Sequence, residues 1–282
     1  MSAQIIDGKL VAKSIREKVA KSVEMRKSQG LRPPGLAVIL IGEDPASAVY
    51  VNSKKRACEQ AGLISKAWHW PNTATQTELL DLIRQLNEDS SIDGILVQLP
   101  LPDHMDTQAV LDLVPASLDV DVLSSSGRIL FAEGKSNYIP PVTASVLEVC
   151  KRHNVVLKDI NIVLVGEGTL VGKPMGIWLT MHGYLYDVIT KETDMEKRAI
   201  LLKNADLIIS GAGVPHLVKP SDVKQGVVII DAGTSEAQAV IQGDVDPEVQ
   251  EKSSLFTPVP GGIGPMTIAL LYTNVIAYYH HD

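Results

Sequence analysis

Two segments far apart in the chain carry the residues best suited to acid–base chemistry. Residues 44–54 include Tyr50 and Lys54, whose spacing of four places both side chains on one face of a helix. Residues 94–102 form an apolar strand pattern that ends in Gln98. Because sites in open α/β sheets lie at the carboxyl ends of strands, we expect these three side chains to converge there. Such a group could transfer protons and hold a flat polar ring.

Each of these residues also has a structural interpretation. Lys54 belongs to the run Lys54-Lys55-Arg56, which could be an ordinary charged helix face. A lysine exchanges protons near neutral pH only when partial burial lowers its pKa. Gln98 could be a structural residue at the strand end, whose side-chain amide is hydrogen-bonded by its neighbours. The residues alone leave both interpretations open.

The Pro- and Gly-containing segments and one acidic pair are further candidates. Asp119 and Asp121 flank Val120 and either line one face of a site or are surface acids of a loop. Residues 257–267 form the densest run of proline and glycine, which favours a rigid loop packed closely against another segment over a plain connector. A proline follows an apolar residue at Leu99-Pro100 and at Val259-Pro260, where a cis bond is one of two options.

Composition limits the class of protein. The chain has 282 residues, a hydrophobic content of 45% and a formal net charge of −7, which fit one or two domains with a sizeable core. No basic patch indicates nucleic acid, and no apolar run is long enough to cross a membrane. The two cysteines form no CxxC, and the histidines show no ligand spacing. We therefore expect a reduced cytoplasmic protein without a metal site.

Helix and strand patterns alternate along most of the chain, which predicts parallel sheets with helices on both faces, an α/β fold in two domains. The predicted strands cover residues 36–41, 63–69, 92–98, 161–165, 185–190, 206–210 and 227–230. The predicted helices cover residues 8–29, 44–62, 75–88, 106–114, 142–152, 174–182 and 266–279. Residues 115–140 lack periodicity and are predicted to be loop with a short hairpin. We place one domain at 1–139 with a returning helix at 266–282, and the other at 140–265.

A glycine-containing turn follows the strand at 161–165. Gly166, Gly168 and Gly172 follow G-x-G-x-x-x-G rather than the usual G-x-G-x-x-G, and small residues there would let backbone amides approach a pyrophosphate. An ordinary tight turn is the alternative. A dinucleotide site also needs an acid near the end of the next strand to bind a ribose. Asp187 and Glu192 are both candidates, and either could equally be a solvated surface acid.

Six motifs in the same order resemble the bifunctional methylenetetrahydrofolate dehydrogenase/methenyltetrahydrofolate cyclohydrolase (FolD) family over essentially the whole chain. They are Tyr50-Val51-x-x-Lys54, residues 94–102, Asp119-Val120-Asp121, Val171-Gly172-Lys173-Pro174, Gly243-Asp244-Val245-Asp246 and residues 258–267. The resemblance implies a folate-binding catalytic domain, a Rossmann-like nicotinamide-binding domain and a cleft between them. It also implies two reactions: oxidation of 5,10-methylenetetrahydrofolate with NAD(P), and hydrolysis of the product to 10-formyltetrahydrofolate.

The resemblance assigns roles to residues of the folate site. Lys54 would handle protons in the hydrolysis, Gln98 would hydrogen-bond Lys54, and Tyr50 would pack against the folate ring. Asp121 would accept from the amino groups of the pterin, since charge-assisted hydrogen bonds are strong. The remaining expected folate contacts are Leu99, Pro100, Pro260, Gly261 and Gly262. Family members are usually homodimers joined through the cofactor domain.

The nucleotide-binding residues depart from the family pattern. The expected contacts are Gly166, Glu167, Gly168, Val171, Gly172, Glu192, Thr193, Ala212, Gly213, Gly233 and Thr234. Relatives usually carry Gly-Arg-Ser at Gly166-Glu167-Gly168 and His-Ser at Glu192-Thr193, and they bind NADP. Acids there would repel a 2′-phosphate, whereas a ribose hydroxyl can donate to a carboxylate.

Three hypotheses follow from that departure. The dehydrogenase prefers NAD, or it uses NADP through Lys191 or Lys173, or it is weak or lost and leaves a cyclohydrolase. A non-catalytic folate- or nucleotide-binding homologue and an unrelated NAD-dependent dehydrogenase are the alternatives from other classes. The non-catalytic homologue is disfavoured because the chain retains Tyr50, Lys54, Gln98 and Asp121. The unrelated dehydrogenase is disfavoured because it would not need the Pro-Gly-Gly segment.

Overall fold

The computed structural model describes residues 3–42, 57–237 and 240–277. Tyr50, Lys54 and most of the helix predicted at 44–62 lie outside these residues. The chain divides into two compact units, one formed by residues 13–140 and 268–282 and the other by residues 1–12 and 141–267. We call them the three-stranded unit and the six-stranded unit after their main sheets. The first twelve residues therefore group with the second unit, whereas the sequence assigned them to the first.

The described elements alternate as the sequence predicted. The strands are β1 (Gln4–Ile5), β2 (Gly35–Ile41), β3 (Ile64–Trp70), β4 (Gly94–Val97), β5 (Ile162–Val165), β6 (Tyr186–Ile189), β7 (Leu207–Ser210), β8 (Val227–Asp231), β9 (Ser235–Ala237), β10 (Val240–Gln242) and β11 (Ser253–Phe256). The helices are α1 (Gly8–Ser28), α2 (Gln76–Glu88), α3 (Thr107–Asp112), α4 (Ser125–Ala132), α5 (Pro141–Arg152), α6 (Gly172–Met181), α7 (Met195–Asn204) and α8 (Ile263–Ala277). Short 3₁₀ helices lie at Pro220–Asp222 and Pro247–Glu251.

The three-stranded unit is built on a parallel sheet of order β3-β2-β4. Every residue of the central strand β2 is buried, as expected for a strand covered on both faces. Helix α2 begins with a capping box in which Thr75 and Glu78 bond each other's backbone and side chain. Its apolar side, which includes Leu79 and Ile83, packs into a core with Ile39 of β2. The sheet therefore gives rigid support to the loops that follow its strands.

The six-stranded unit holds a sheet of order β1-β11-β8-β7-β5-β6, with parallel pairing throughout. Strands β5, β7 and β8 occupy its centre and β6 lies at one edge. Pairing is in register, since Val165 lies opposite both Ile189 and Ser210, and Ser210 lies opposite Asp231. The turns that follow four neighbouring strands are thus brought side by side. Strands β9 and β10 form a separate antiparallel hairpin.

The prediction for residues 115–140 was wrong in part, because helix α4 lies within them. Ser124 caps this helix by accepting from the backbone N–H of Gly127. The serine- and glycine-containing stretch is typical of loops, but the buried Phe131 and Gly127 pack it into the unit. The sequence also did not predict α7, β1, β11 or the β9–β10 hairpin, which are short or largely exposed elements with weak periodicity.

Candidate functional site

Gln98 directly follows β4 in the three-stranded unit. Its backbone N–H donates to the carbonyl of Ile39 at 2.8 Å, which continues the pairing of β4 with β2. Its side-chain Nε2 donates to the carbonyl of Leu99 at 2.8 Å, so the amide is held at the carboxyl end of the strand. Gln98 and Leu99 are half-buried, Pro100 is exposed, and the Leu99-Pro100 bond is cis. A polar group therefore stands at the edge where the sequence placed it.

The two acids around Val120 have different environments. Asp119 is only 5% exposed, and its carboxylate accepts from the backbone N–H groups of Leu123 at 3.1 Å and Ser124 at 2.7 Å. It is thus neither a surface acid nor free to bind a ligand. Asp121 is half-buried. Of the pair, Asp121 is the one suited to a substrate contact.

The residue after Asp121 has an uncommon backbone conformation. Val122 adopts a φ of 58° although it is β-branched and buried. Such a conformation costs about 1–3 kcal/mol and persists only where the surroundings determine it. Here the Asp119 carboxylate holds the next two backbone N–H groups, of Leu123 and Ser124. The loop that carries Asp121 is consequently fixed on its carboxyl side.

Asn274, in α8, supports the same loop and was not among the predicted residues. Its Nδ2 donates to the carbonyls of Val120 and Ile139, both at 2.9 Å, and the residue is 7% exposed. Gly94 of β4 also lies against this loop, because a Cβ on it would stand 2.6 Å from a methyl carbon of Val120. A single asparagine in a helix without charged residues is the signal that could have identified this support.

The predicted glycine turn lies between β5 and α6 in the six-stranded unit. Gly166 has a φ of 92°, and a Cβ on it would stand 2.8 Å from the Cα of Ala212. A Cβ on Gly172 would overlap the carbonyl oxygen of Gly166, whereas Gly168 is exposed and a Cβ on it would make only an ordinary contact, 3.6 Å from the carbonyl oxygen of Gly211. Val171 packs directly against Gly211. The turn is therefore tight at its base and exposed at Gly168.

The acids near this turn occupy different positions. Glu167 is exposed on the turn, and Glu192 is exposed just beyond the end of β6. A hydrogen bond from the hydroxyl of Thr190, at 2.8 Å, lowers the pKa of Glu192. Asp187 lies opposite Val163 inside β6 and is thus set back from the carboxyl edge. Of the two predicted ribose acids, Glu192 is the one that the structure places at that edge.

Thr193 closes the turn after β6. Its hydroxyl accepts from the backbone N–H of Thr190 at 3.0 Å, and its own N–H donates to the Thr190 carbonyl at 3.2 Å. Lys191, also exposed, has its Nζ 3.7 Å from the Glu192 carboxylate. Lys191 and Glu192 thus lie next to each other just beyond the end of β6.

The turns after β7 and β8 contain the other predicted nucleotide contacts. Gly211 donates its N–H to the carbonyl of Val165 at 2.9 Å, and Ala232 donates to that of Ser210 at 2.9 Å. The turns therefore continue the order of the strands and lie next to the glycine turn. The contacts expected there are Ala212, Gly213, Gly233 and Thr234, of which Gly213 and Thr234 are exposed and Gly233 is buried.

The Pro-Gly-Gly segment leads into α8 as a closed turn. The N–H of Gly262 donates to the carbonyl of Pro258 at 2.7 Å, and Gly261 has a φ of 107° and accepts from the N–H of Gly8 at 2.9 Å. A Cβ on Gly8 would overlap the carbonyl of Gly262. The Val259-Pro260 bond is cis, and Pro260 is exposed. This supports the prediction of a rigid loop packed closely against another segment.

Across the described ranges, no group of three or more His, Cys, Asp and Glu side chains is arranged to hold a metal ion. Within the same ranges, no helix has the length and apolar character needed to cross a membrane.

Comparison with known proteins agrees with the two-unit architecture. Residues 6–121 match the model of the tetrahydrofolate dehydrogenase/cyclohydrolase catalytic domain, and residues 140–282 match that of the NAD(P)-binding domain of the same enzymes. The chain belongs to the tetrahydrofolate dehydrogenase/cyclohydrolase family. The resemblance of the six motifs, the α/β fold and the pairing of a catalytic domain with a nicotinamide-binding domain are thereby confirmed.

Individual relatives match over nearly their full length. The bifunctional protein FolD of Aquifex aeolicus is 41% identical over 280 residues, which cover 98% of this chain and 95% of the relative. The crystal structure of the bifunctional FolD of Campylobacter jejuni superposes with a TM-score of 0.94 at 38% identity, covering 100% of both chains. The FolD of Trypanosoma brucei, solved with NADP and an inhibitor, gives a TM-score of 0.93 at 29% identity over 99% of this chain and 98% of that one.

Proposed function

We propose that this chain oxidises 5,10-methylenetetrahydrofolate with a nicotinamide dinucleotide and hydrolyses the resulting methenyl cation to 10-formyltetrahydrofolate. The observation that carries the proposal is that both domains of one bifunctional enzyme family match this chain, which also retains the folate motifs of that family. If the chain were only a cyclohydrolase, the glycine turn after β5 would be expected to have lost the close backbone packing that a dinucleotide needs. The tight Gly166–Gly172 packing argues against such a loss.

The folate would be held by the loops that follow β4 in the three-stranded unit. Asp121, half-buried on a loop supported by Asp119 and Asn274, would accept from the amino N–H groups of the pterin. Leu99 and Pro100 would supply apolar contacts beside Gln98. Tyr50 would pack on the ring, and the family resemblance adds Pro260, Gly261 and Gly262 as further proposed folate contacts.

Lys54 would carry the protons of the hydrolysis. Water adds to the methenyl carbon, and its oxygen ends as the formyl carbonyl, so the water loses two protons. One passes to the ring nitrogen that leaves that carbon, and the other is released as the cation becomes a neutral product. A lysine amine of lowered pKa can take up and return a proton near neutral pH. Gln98, fixed at the end of β4 by its bonds to Ile39 and Leu99, would hold the Lys54 amine by hydrogen bonding and so influence its charge state.

The six-stranded unit fits a dinucleotide. Gly166 and Gly172 keep the backbone close, the exposed Gly168 presents no side chain to a phosphate, and Val171, the N-cap residue of α6, makes no side-chain capping bond. When bound, a nicotinamide supplies the acceptor for the hydride from the folate. The residues proposed to hold it are Gly166, Glu167, Gly168, Val171, Gly172, Glu192, Thr193, Ala212, Gly213, Gly233 and Thr234.

The acids at the edge of the sheet favour NAD over NADP. Glu192 lies beyond the end of β6, where dinucleotide-binding folds place the acid that accepts from a ribose hydroxyl. Glu167 stands on the neighbouring turn, and each acid would repel a dianionic 2′-phosphate. Lys191 already lies near the Glu192 carboxylate, and Lys173 is an exposed cation in the first turn of α6. We therefore assign NAD as the preferred cofactor.

Glu167→Arg is expected to lower the KM for NADP about tenfold, because a repulsion of the 2′-phosphate becomes an attraction. The KM for NAD should change less. The measurement is the initial rate of nicotinamide reduction over a range of each dinucleotide. Glu248→Arg, a charge reversal of an exposed residue on the 3₁₀ helix at Pro247–Glu251, is the matched control. Equal NADP kinetics in wild type and Glu167→Arg would remove Glu167 from the 2′-phosphate site.

The experiment that tests the proposed function follows nicotinamide reduction with 5,10-methylenetetrahydrofolate, in parallel with NAD and NADP, and loss of methenyltetrahydrofolate in a separate assay. Faster turnover with NAD supports the proposal in full. Faster turnover with NADP would contradict the cofactor assignment and point to Lys191 or Lys173. Methenyl hydrolysis without any reduction would leave only a cyclohydrolase.

The edge strand of the six-stranded unit is proposed to join two copies of a cytoplasmic homodimer. β6 has no partner strand on its outer side among the described residues, and exposed edges are usually covered. Leu185, which leads into this strand, is 88% exposed, and Met195, in the helix that follows, is 86% exposed. Apolar side chains this exposed beside an unpaired edge favour association.

Leu185→Glu is expected to convert the dimer into a monomer at micromolar concentration, because a charge would enter the apolar contact. Light scattering after gel filtration measures the mass directly. Val156→Glu changes another exposed apolar residue of the same unit, 69% exposed, and should leave the mass unchanged. A wild-type protein that elutes as a monomer, or a dimer unaffected by Leu185→Glu, would exclude this interface.

A further inference from the structure

Two buried aspartates lie beneath the turns at the nucleotide edge, and no role has yet been assigned to them. Asp231 ends β8 and is 1% exposed, and Asp244, in the motif Gly243-Asp244-Val245-Asp246, is 0% exposed. Carboxylates this deeply buried are found where they accept several hydrogen bonds. Their donors identify what they hold.

The Asp244 carboxylate accepts three hydrogen bonds from residues 210–214, which run from the last residue of β7 into the turn after it. Its Oδ2 accepts from the hydroxyl of Ser210 at 2.7 Å and from the N–H of Ala212 at 2.6 Å. Its Oδ1 accepts from the N–H of Val214 at 2.8 Å. Since these donors alternate along 210–214, one carboxylate sets the path of the whole turn.

Asp231 fixes the neighbouring turn and connects it to Asp244. Its carboxylate accepts from the N–H groups of Gly233 and Val245, both at 2.9 Å. A Cβ on Gly233 would overlap the Asp244 carboxyl group, and one on Gly243 would overlap that of Asp231. Asp244 is thus packed against Gly233, two residues after Asp231, and Asp231 is packed against Gly243, which directly precedes Asp244. The two turns are built around the same pair.

The order of the strands indicates which half of the cofactor these turns face. Glu192, the proposed ribose acid, follows β6, and the glycine turn proposed for the pyrophosphate follows β5. A dinucleotide that crosses the carboxyl edge from β6 over β5 reaches the turns after β7 and β8 with its remaining, nicotinamide half. These are the turns that Asp244 and Asp231 hold.

We propose that Asp244 is a positioning residue for the dehydrogenase reaction, which sets the 210–214 turn in the shape that receives the nicotinamide half of the cofactor. The proposal rests on the proposed function, since it presupposes that this edge binds a dinucleotide. Asp244 does not contact the reacting atoms. It acts through the backbone of Ala212 and Val214, and Asp231 holds the adjoining turn at Gly233.

Asp244→Asn tests this. An amide cannot accept on both sides, so its Nδ2 would face a backbone donor and the turn would shift. We expect the dissociation constant of NAD, measured by calorimetry, and the KM for NAD to rise about tenfold or more. Methenyl hydrolysis uses no nicotinamide and should stay within about twofold of wild type. Asp246→Asn is the control within the same motif, because the Asp246 carboxylate caps the 3₁₀ helix at Pro247–Glu251 by accepting from the N–H of Glu248.

The outcomes separate the possibilities. Unchanged NAD affinity and KM would overturn the positioning role. Equal losses of both activities with an unchanged KM would also overturn it, since they would indicate a merely structural residue. Ser210→Ala removes one of the three donors to Asp244 and should raise the KM about threefold, which covers the case in which Asp244→Asn does not fold. A wild type that hydrolyses methenyltetrahydrofolate but binds no dinucleotide would instead reject the dehydrogenase half of the proposed function, and this inference with it.

Discussion

Lys54→Ala is expected to lower the turnover number of methenyltetrahydrofolate hydrolysis about 10³-fold. The proposed role of Lys54 is to move the protons that the attacking water loses and the leaving ring nitrogen gains. Alanine removes the amine without adding bulk, so folate binding through Asp121 should persist. The large drop is therefore expected in turnover and not in affinity.

The assay is the loss of the methenyl chromophore under single-turnover conditions, with folate affinity measured separately by calorimetry. Lys55→Ala is the matched control, because it removes a neighbouring cation of the same run at a position one residue away. Hydrolysis at more than about a tenth of the wild-type rate in Lys54→Ala would exclude Lys54 as the proton carrier. Loss of folate binding would instead indicate that Lys54 contacts the substrate.

The stability of the six-stranded unit is expected to fall as pH rises from about 5 to about 7, through Asp231. Burial, with an added contribution from the neighbouring Asp244, raises the pKa of Asp231 to about 7. Its ordinary value is 3.8, so the folded chain binds a proton that the unfolded chain has released between these values. The stabilisation that this proton gives the folded state is thus fully present below the pKa of Asp231 in the unfolded chain. It is lost as pH rises through the pKa of Asp231 in the folded chain.

The size of the effect follows from proton linkage. One proton bound only in the folded state changes the free energy of unfolding by about 1.4 kcal/mol per pH unit, and the slope flattens above the folded pKa. Urea denaturation from pH 5 to pH 8 measures it, and the slope attributable to Asp231 is the difference between wild type and Asp231→Asn. Asp246→Asn should retain the wild-type slope. An Asp231→Asn profile parallel to that of the wild type would show that Asp231 does not titrate in this range.

Sequence patterns were sufficient where the chemistry is local. The apolar runs of β2 and β5 and the alternation of strands and helices predict a two-domain parallel α/β fold. The glycine turn at Gly166–Gly172 and the amide of Gln98 after β4 were predicted at the edges where the structure places them. These features depend on residues close together in the chain, so spacing and residue type suffice. The motifs 94–102 and 258–267 then indicated the family, which the two domain models confirm.

The tertiary structure decided what depends on residues far apart in the chain. Asp119 was expected either in a site with Asp121 or on the surface of a loop, and it is a buried acceptor for Leu123 and Ser124. Helix α4 forms within a stretch of loop-like composition because Phe131 and Gly127 pack into the unit. Asp231 and Asp244 lie 13 residues apart in sequence, yet they meet under two turns. A carboxylate can line a site, hold a turn or face water, and its residue type does not determine which. Burial and the donors that folding brings within about 3 Å do.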